Sequence, residues 1–152
     1  MEMLETPRTF LRPWSAGDRR VFRRLFGDQD ALLPSFLEHY REHGFGPLAV
    51  MFKEDDEIVG SAGLRRGLVP EENGLELMTL PSHRGRGLAT EAGWEILRHG
   101  FEALRLKKIA ALCDPADAAS KRVLAKLGMA YERSILHRGL ERELHAIRRP
   151  ER

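Results

Sequence analysis

Between Leu75 and Leu104 the hydrophobic pattern changes its period once. Leu75-Glu76-Leu77-Met78-Thr79-Leu80 reads as a strand, closed by Pro81. From Leu88 onward the apolar positions Ala89, Ala92, Ile96, Leu97, Gly100, Phe101 and Leu104 fall at helical spacing. Between the two lies Arg84-Gly85-Arg86-Gly87, a basic turn with two glycines in three residues. Glycine lets the backbone turn tightly and bring its N–H groups close to a ligand. A strand, a basic glycine turn and a helix start are the parts of an anion site. The first helical amides lack intrahelical partners, and the helix dipole leaves partial positive charge there.

The remaining pattern fills in around this unit. Thr6–Trp14 reads as a first strand with proline near both ends, which suits a sheet edge. Ser15 offers an N-cap, with Asp18 three residues on as an imperfect capping box. Val21, Phe22, Leu25 and Phe26 form one face of the helix that follows, and Arg19, Arg20, Arg23 and Arg24 the other. A second helix is expected from Asp30 to His43, with Leu33, Phe36, Leu37 and Tyr40 inward and Pro34 near its start. Leu48–Lys53 and Glu57–Leu64 read as a hairpin around Glu54-Asp55-Asp56, and Gly60 and Gly63 suggest a bulge or a close backbone approach. Arg65–Asn73, with Pro70, is expected to be a loop. Lys107–Cys113 reads as a buried strand. Asp117 caps a helix with Val123, Leu124 and Leu127 on its apolar side and Gly128 at its C-terminus. Ala130–Leu136 and Leu140–Ile147 are the last two strands, with a frayed tail from Arg148 to Arg152.

The expected order is therefore β-α-α-β-β-β-α-β-α-β-β. This is a mixed α/β (α+β) sheet covered by helices, with a right-handed crossover joining the parallel pair around the central helix. The 152 residues suit a single domain, residues 1–152, with enough chain for a sizeable core.

Composition narrows the function. Lys plus Arg number 25 and Asp plus Glu 23, so the formal charge of +2 gives no polyanion-binding bias. The single cysteine, Cys113, excludes an internal disulfide. No segment approaches the roughly 18 apolar residues of a membrane span, and Met1-Glu2-Met3-Leu4-Glu5 has no signal pattern. A cytoplasmic protein with no membrane partner is expected. His39 and His43 stand at i and i+4, but Tyr40 occupies the place where a zinc protease has glutamate and no third ligand is evident, so no metal is expected.

The loop Arg84–Ala89 has the form Arg-x-x-Gly-x-Ala. It resembles the coenzyme A pyrophosphate loop of the Gcn5-related N-acetyltransferases, [QR]-x-x-G-x-[GA]. Further on, Asp114-Pro115-Ala116-Asp117-Ala118-Ala119-Ser120, followed by a helix ending Lys126-Leu127-Gly128-Met129, is similar to that family's second signature. Phe10-Leu11-Arg12-Pro13-Trp14 and the run from Gly44 to Leu64 are similar to the opening strands of its RimJ/RimL-like branch. The resemblance covers nearly the whole chain.

It implies an acyl-CoA N-acyltransferase fold, with about seven strands and four helices. The sheet splays between its fourth strand, Gly74–Leu80, and its fifth, Lys107–Cys113. It further implies acetyl-CoA as co-substrate and a primary amine as acceptor. Leu77, Met78 and Thr79 would pair with the pantetheine arm. Arg84, Gly85, Arg86, Gly87, Leu88, Ala89 and Thr90 would hold the pyrophosphate. Asp117 stands where an asparagine commonly contacts the cofactor arm, and Ser120 matches the serine beside the thioester sulfur. Ser120 is the candidate acid and Glu76 the candidate base. An N–H near Met78 would polarise the carbonyl.

Two departures stand out. Leu124 occupies the place of a tyrosine acid in many relatives, and Asp114 and Asp117 replace asparagines, where Arg84, Arg86 or Lys121 must offset the charge. Freeing a lysine amine at pH 7 costs about 4.6 kcal/mol and an α-amine about 1 kcal/mol. Without an evident strong base, the site leans toward a peptide N-terminus, with a small-molecule amine as the other class. The resemblance allows a homodimer, and nucleic acid is not the expected partner. Two competing readings are a catalytically silent acyl-CoA-binding regulatory domain and an RNA- or ribosome-contacting protein that uses the Arg19–Arg24 face.

Overall fold

The computed structural model describes residues 3–69 and 72–150. Their strands form one sheet of eight, in the order β1-β2-β3-β4-β5-β6-β8-β7. These are β1 Leu4–Glu5, β2 Thr9–Pro13, β3 Pro47–Phe52, β4 Ile58–Val69, β5 Glu72–Thr79, β6 Lys108–Cys113, β7 Ala130–His137 and β8 Leu140–Arg148. Four α-helices cover it: α1 Arg19–Phe26, α2 Leu32–His43, α3 Leu88–Glu102 and α4 Ala118–Lys126. This is the expected order with one more strand, β1, which pairs antiparallel to β2.

Side chains alternate across a strand, so neighbouring residues of β3 report which helices lie on which face. Leu48 and Val50 join α3 and α4 residues Leu88, Ile96, Leu97 and Leu124 in one cluster. Ala49 joins Trp14, Phe22, Leu33 and Phe36, from the segment of α1 and α2, in another. Helices α3 and α4 thus cover one face and α1 and α2 the other. Trp14 and Phe36 are almost fully enclosed, and Trp14, Phe22, Phe26 and Phe36 pack edge-on or tilted at centroid distances of 4.4–6.4 Å. Such aromatic pairs add about 0.5–1.5 kcal/mol each beyond the burial of their area.

Four expectations change. Arg65–Asn73 is not a loop: β4 runs on to Val69 and β5 starts at Glu72, with Pro70 outside the described residues. Val69 is fully buried against Ala110, Leu144 and Ala146, and that contact holds the long hairpin down. The chain does not fray from Arg148, because Arg148 pairs with Lys108 and the Arg149 N–H donates to the Lys107 carbonyl at 2.9 Å. The first strand shortens to Thr9–Pro13 and the second helix starts at Leu32.

The glycine reading of β4 is met by geometry. A Cβ on Gly60 would lie 2.3 Å from the Met78 carbonyl oxygen, so only glycine lets β5 come this close. The register also shifts between Val50 and Met51, where β3 faces this stretch.

Candidate active site

The turn before α3 is built for an anion. Gly85 and Gly87 have φ of +78° and +79°, in the left-handed region where a side chain costs roughly 1–2 kcal/mol. Gly87 caps α3, and the first intrahelical bond runs from the Glu91 N–H to the Gly87 carbonyl at 3.0 Å. The amides of Leu88, Ala89 and Thr90 therefore have no partner within the helix. Arg8 fastens the turn from outside. Its backbone N–H and its Nε donate to the two carboxylate oxygens of Glu91, both at 2.8 Å, and its Nη1 donates to the Arg86 carbonyl at 2.9 Å. Arg84 turns back, its Nε donating to the Thr79 carbonyl at 3.1 Å.

Beside this turn the sheet parts. Among the described residues every other strand pair is matched at two or more positions, but β5 and β6, the one parallel pair, meet only at Gly74 and Ala110. The backbone direction along β5 then follows from its pairing with β4. Leu80 N–H donates to the Val59 carbonyl at 2.7 Å, across the facing pair Thr79 and Gly60. That makes Thr79 a non-hydrogen-bonded partner of β4, and by alternation Leu77 is another. The backbone groups of Leu77 and Thr79 thus face the parting, whereas those of Met78 face β4. Of the N–H groups near Met78, those of Leu77 and Thr79 face the parting and that of Met78 does not. Met78 offers its partly exposed side chain instead.

Two recesses open here. The smaller joins Leu77, Met78 and Thr79 to Leu88, Ala89 and Ala92 of α3. The larger, about 360 Å³, joins Glu76 and Met78 of β5 to Cys113 at the end of β6, Asp117 and Ser120 at α4, and His137 and Arg142 of the last hairpin. Ser61, Leu77 and Met78 line both.

Electrostatics sort the polar groups. Glu76 Oε1 lies 2.9 Å from Arg65 Nη2, and its Oε2 is buried with no hydrogen-bond partner among the described residues. Burial pushes the Glu76 carboxyl above the usual range, and Arg65 and Arg138 pull against this. Asp117 caps α4. Its Oδ1 accepts from the Ser120 N–H at 3.0 Å and its Oδ2 from the Ser120 hydroxyl at 2.7 Å. These bonds, with the charge of Arg84, hold Asp117 below the usual range. Asp114 accepts from the Ala116 N–H at 2.8 Å. The two aspartates in place of asparagines are thus offset by local N–H groups, by Arg84 for Asp117, and by Arg142 for Asp114, whose Oδ2 lies 3.8 Å from Arg142 Nη1. Lys121 is engaged elsewhere, 3.0 Å from Glu143.

The acetyltransferase (GNAT) domain pattern matches residues 8–130. The chain belongs to the GNAT acetyltransferase family. It is 34% identical over 99 residues to YkkB of Bacillus subtilis (strain 168), a match that takes in 62% of this chain. The chain spans only 57% of that relative's length. An acetyltransferase from Agrobacterium tumefaciens str. C58 shares its fold, with a TM-score of 0.83 over 97% of this chain and 94% of that one, at 24% identity. A ribosomal-protein-S5-alanine acetyltransferase from Vibrio fischeri does so with a TM-score of 0.76 over 98% and 97%, at 16% identity.

In this GNAT domain the candidate residues converge. Leu77, Met78 and Thr79 meet Leu88 and Ala89 in the smaller recess, while Glu76, Asp117 and Ser120 meet in the larger. Arg84, Gly85, Arg86 and Gly87 are exposed and outside the linings of both recesses, and Thr90 is buried in the first turn of α3. His39 and His43 stack at 4.5 Å, but His39 is already used. Its Nδ1 faces the Phe45 carbonyl at 2.7 Å and its Nε2 accepts from the Arg66 N–H at 2.9 Å. Sequence reasoning missed Arg8, Arg65 and Arg142. Each acts across at least eleven residues of chain, and no local pattern marks it.

Proposed function

We propose that the chain transfers an acetyl group from acetyl-CoA to a primary amine. One observation carries this reading: β5 and β6 part beside the free amides of α3, so a diphosphate and an extended thiol-bearing arm fit one continuous path. The residues present suit such a co-substrate. Gly85 and Gly87 open the turn, the Leu88, Ala89 and Thr90 amides face an anion, and Arg84 and Arg86 add charge. Leu77 and Thr79 offer their backbone groups to the arm as a further strand would. Bound there, acetyl-CoA supplies the activated acetyl thioester.

The chain's own part is positioning and proton handling. The Leu77 or Thr79 N–H donates to the acetyl carbonyl oxygen. Glu76 accepts the proton of the incoming ammonium; burial raises its carboxyl, which makes it a stronger base than a free carboxylate. Ser120 turns its hydroxyl from Asp117 to the departing sulfur. Apart from the Cys113 thiol, the recess offers only carboxylates and the His137 imidazole as bases, none as strong as a lysine amine, which favours a low-pKa acceptor such as a peptide α-amine, as in the RimJ/RimL-like branch.

A second reading, a silent acyl-CoA-binding domain, is favoured by one observation. Glu76 is held by Arg65 and the Ser120 hydroxyl by Asp117. The deciding experiment measures binding and turnover separately. Calorimetry with acetyl-CoA is expected to show binding that Gly87→Val abolishes. Thiol release on a panel of peptides, amino acids and polyamines is expected with the peptides first. Binding without release on any amine selects the silent domain, and unchanged binding by Gly87→Val overturns the loop assignment.

A further inference from the structure

The last strands assemble a cluster that no stretch of sequence contains. Cys113 at the end of β6 and Glu143 on β8 are direct cross-strand partners. His145 lies two residues on, so it points to the same face as Glu143. One donor atom from each residue lies within 4.8 Å of the other two. Glu143 Oε1 and His145 Nε2 are 3.0 Å apart. Two such donors on a tetrahedral zinc ion stand about 3.3 Å apart, with a thiolate a little farther. The edge between them is close to the required length before any ion arrives.

From this we infer a divalent metal site formed by Cys113, Glu143 and His145, with Zn²⁺ as its best-matched ion. A thiolate, an imidazole and a carboxylate form the mixed donor set that a borderline-soft ion prefers over Mg²⁺ or Ca²⁺. Thiolate and carboxylate together carry two negative charges and neutralise the ion. The thiol proton leaves to solvent, and His145 carries its proton on Nδ1 so that the Nε2 lone pair faces the metal. Cys113 and His145 are each 7% exposed, so the ion is sheltered from bulk water. Access is nonetheless open, because Cys113 also lines the 360 Å³ recess, which has room for a water as the fourth ligand. Asp114 and Asp117 stand near the thiol and add negative potential. Lys121 is the opposing feature. It lies 3.0 Å from the other oxygen of Glu143, Oε2, where it orients the carboxylate and repels a cation. The site therefore binds more weakly than a lysine-free version of itself would.

The test uses the full chain, stripped with a chelator and titrated with Co²⁺ as a coloured stand-in, then with Zn²⁺. One ion per chain is expected, with a thiolate-to-cobalt charge-transfer band and the intense visible bands of four-coordination. Binding of either ion to the stripped protein should release one proton, and Zn²⁺ should then displace the cobalt with no further proton release. Cys113→Ser should lose the charge-transfer band, Glu143→Gln and His145→Gln should weaken binding about 10-fold or more, and Lys121→Met should tighten it. If Cys113→Ser does not fold, wild-type protein settles the matter through alkylation of its single thiol, which Zn²⁺ should block and Mg²⁺ should not. Absence of the band, or an alkylation rate indifferent to Zn²⁺, overturns the site. None of these readouts needs acetyl transfer, so their failure is separate from failure of the proposed activity.

Discussion

Arg8 and Glu91 lie 83 residues apart and hold each other at both oxygens of one carboxylate, through the Arg8 N–H and Nε at 2.8 Å each. The same guanidinium reaches the Arg86 carbonyl at 2.9 Å. This clamp has two consequences. It fixes the glycine turn from the bend just before β2, and it neutralises the one carboxylate in the first turn of α3, where a diphosphate would sit.

The clamp makes a prediction with an internal control. Arg8→Ala exposes Glu91 to the anion and frees the turn, and is expected to weaken acetyl-CoA binding about 10-fold, or about 1.4 kcal/mol. The Arg8 side chain is 43% exposed, so the ion pair itself contributes little to global stability and Tm should move only slightly. The double variant Arg8→Ala/Glu91→Gln should recover part of the loss, because it removes the uncompensated charge. Calorimetry on the four proteins of the cycle measures this. A double variant no better than the single one would mean that the clamp acts only by shaping the turn.

A second prediction concerns pH. Burial raises the Glu76 carboxyl and Arg65 lowers it. As the base, Glu76 must be ionised, so turnover should rise with pH through its folded value. Removing the Arg65 charge raises that value further. Arg65→Met should therefore shift the acidic limb of the kcat/KM profile to higher pH, while Glu76→Gln should flatten that limb and lower kcat by about 10²-fold or more. An acidic limb unmoved by Arg65→Met would assign it to another group.

The elements that were legible in the sequence were those whose reasons are local. The turn from Arg84 to Gly87 needs left-handed glycines, and the helix from Asp117 to Gly128 carries its own cap and stop. What was illegible depends on distant partners. Arg65–Asn73 reads as a loop because it holds Pro70, yet Arg65 and Arg66 pair as strand, and Val69 beyond them is buried against Ala110, Leu144 and Ala146. Arg65 then meets Glu76 across the same hairpin, eleven residues away. Cys113, Glu143 and His145 are joined only by the order in which β6 and β8 lie. Backbone direction along β5 was likewise set by its register with β4, which turns the N–H groups of Leu77 and Thr79, and not that of Met78, to the parting.

A third prediction tests stability. His39 is neutral in the fold, with one nitrogen facing the Phe45 carbonyl and the other accepting from the Arg66 N–H. Protonating Nε2 would cost the Arg66 bond, and burial also lowers the His39 pKa. The unfolded chain then binds a proton more readily than the folded one. The stabilising contribution is complete above the unfolded value, about 6.5, and is lost as pH falls through the lower folded value. Chemical denaturation between pH 7.5 and about 5 should show this slope in the wild type. In His39→Gln it should be shallower, with lower stability at pH 7.5. Parallel slopes in the two proteins would show that other groups cause the acid sensitivity.

The last prediction separates the two readings of the active site. Asp117 accepts both the Ser120 N–H and its hydroxyl. Asparagine caps a helix about as well as aspartate, so Asp117→Asn should leave Tm nearly unchanged. It removes a negative charge from the recess and weakens the hold on the Ser120 hydroxyl, since a neutral acceptor bonds less strongly than a carboxylate. If Ser120 protonates the departing sulfur, turnover should rise several-fold at unchanged Tm, and Ser120→Ala should abolish the gain. If the chain only binds acyl-CoA, the substitution should tighten binding through the lost repulsion and still give no thiol release. Measured together, thiol release and calorimetric affinity distinguish the cases. A variant that changes neither quantity would remove both Asp117 and Ser120 from the cofactor path.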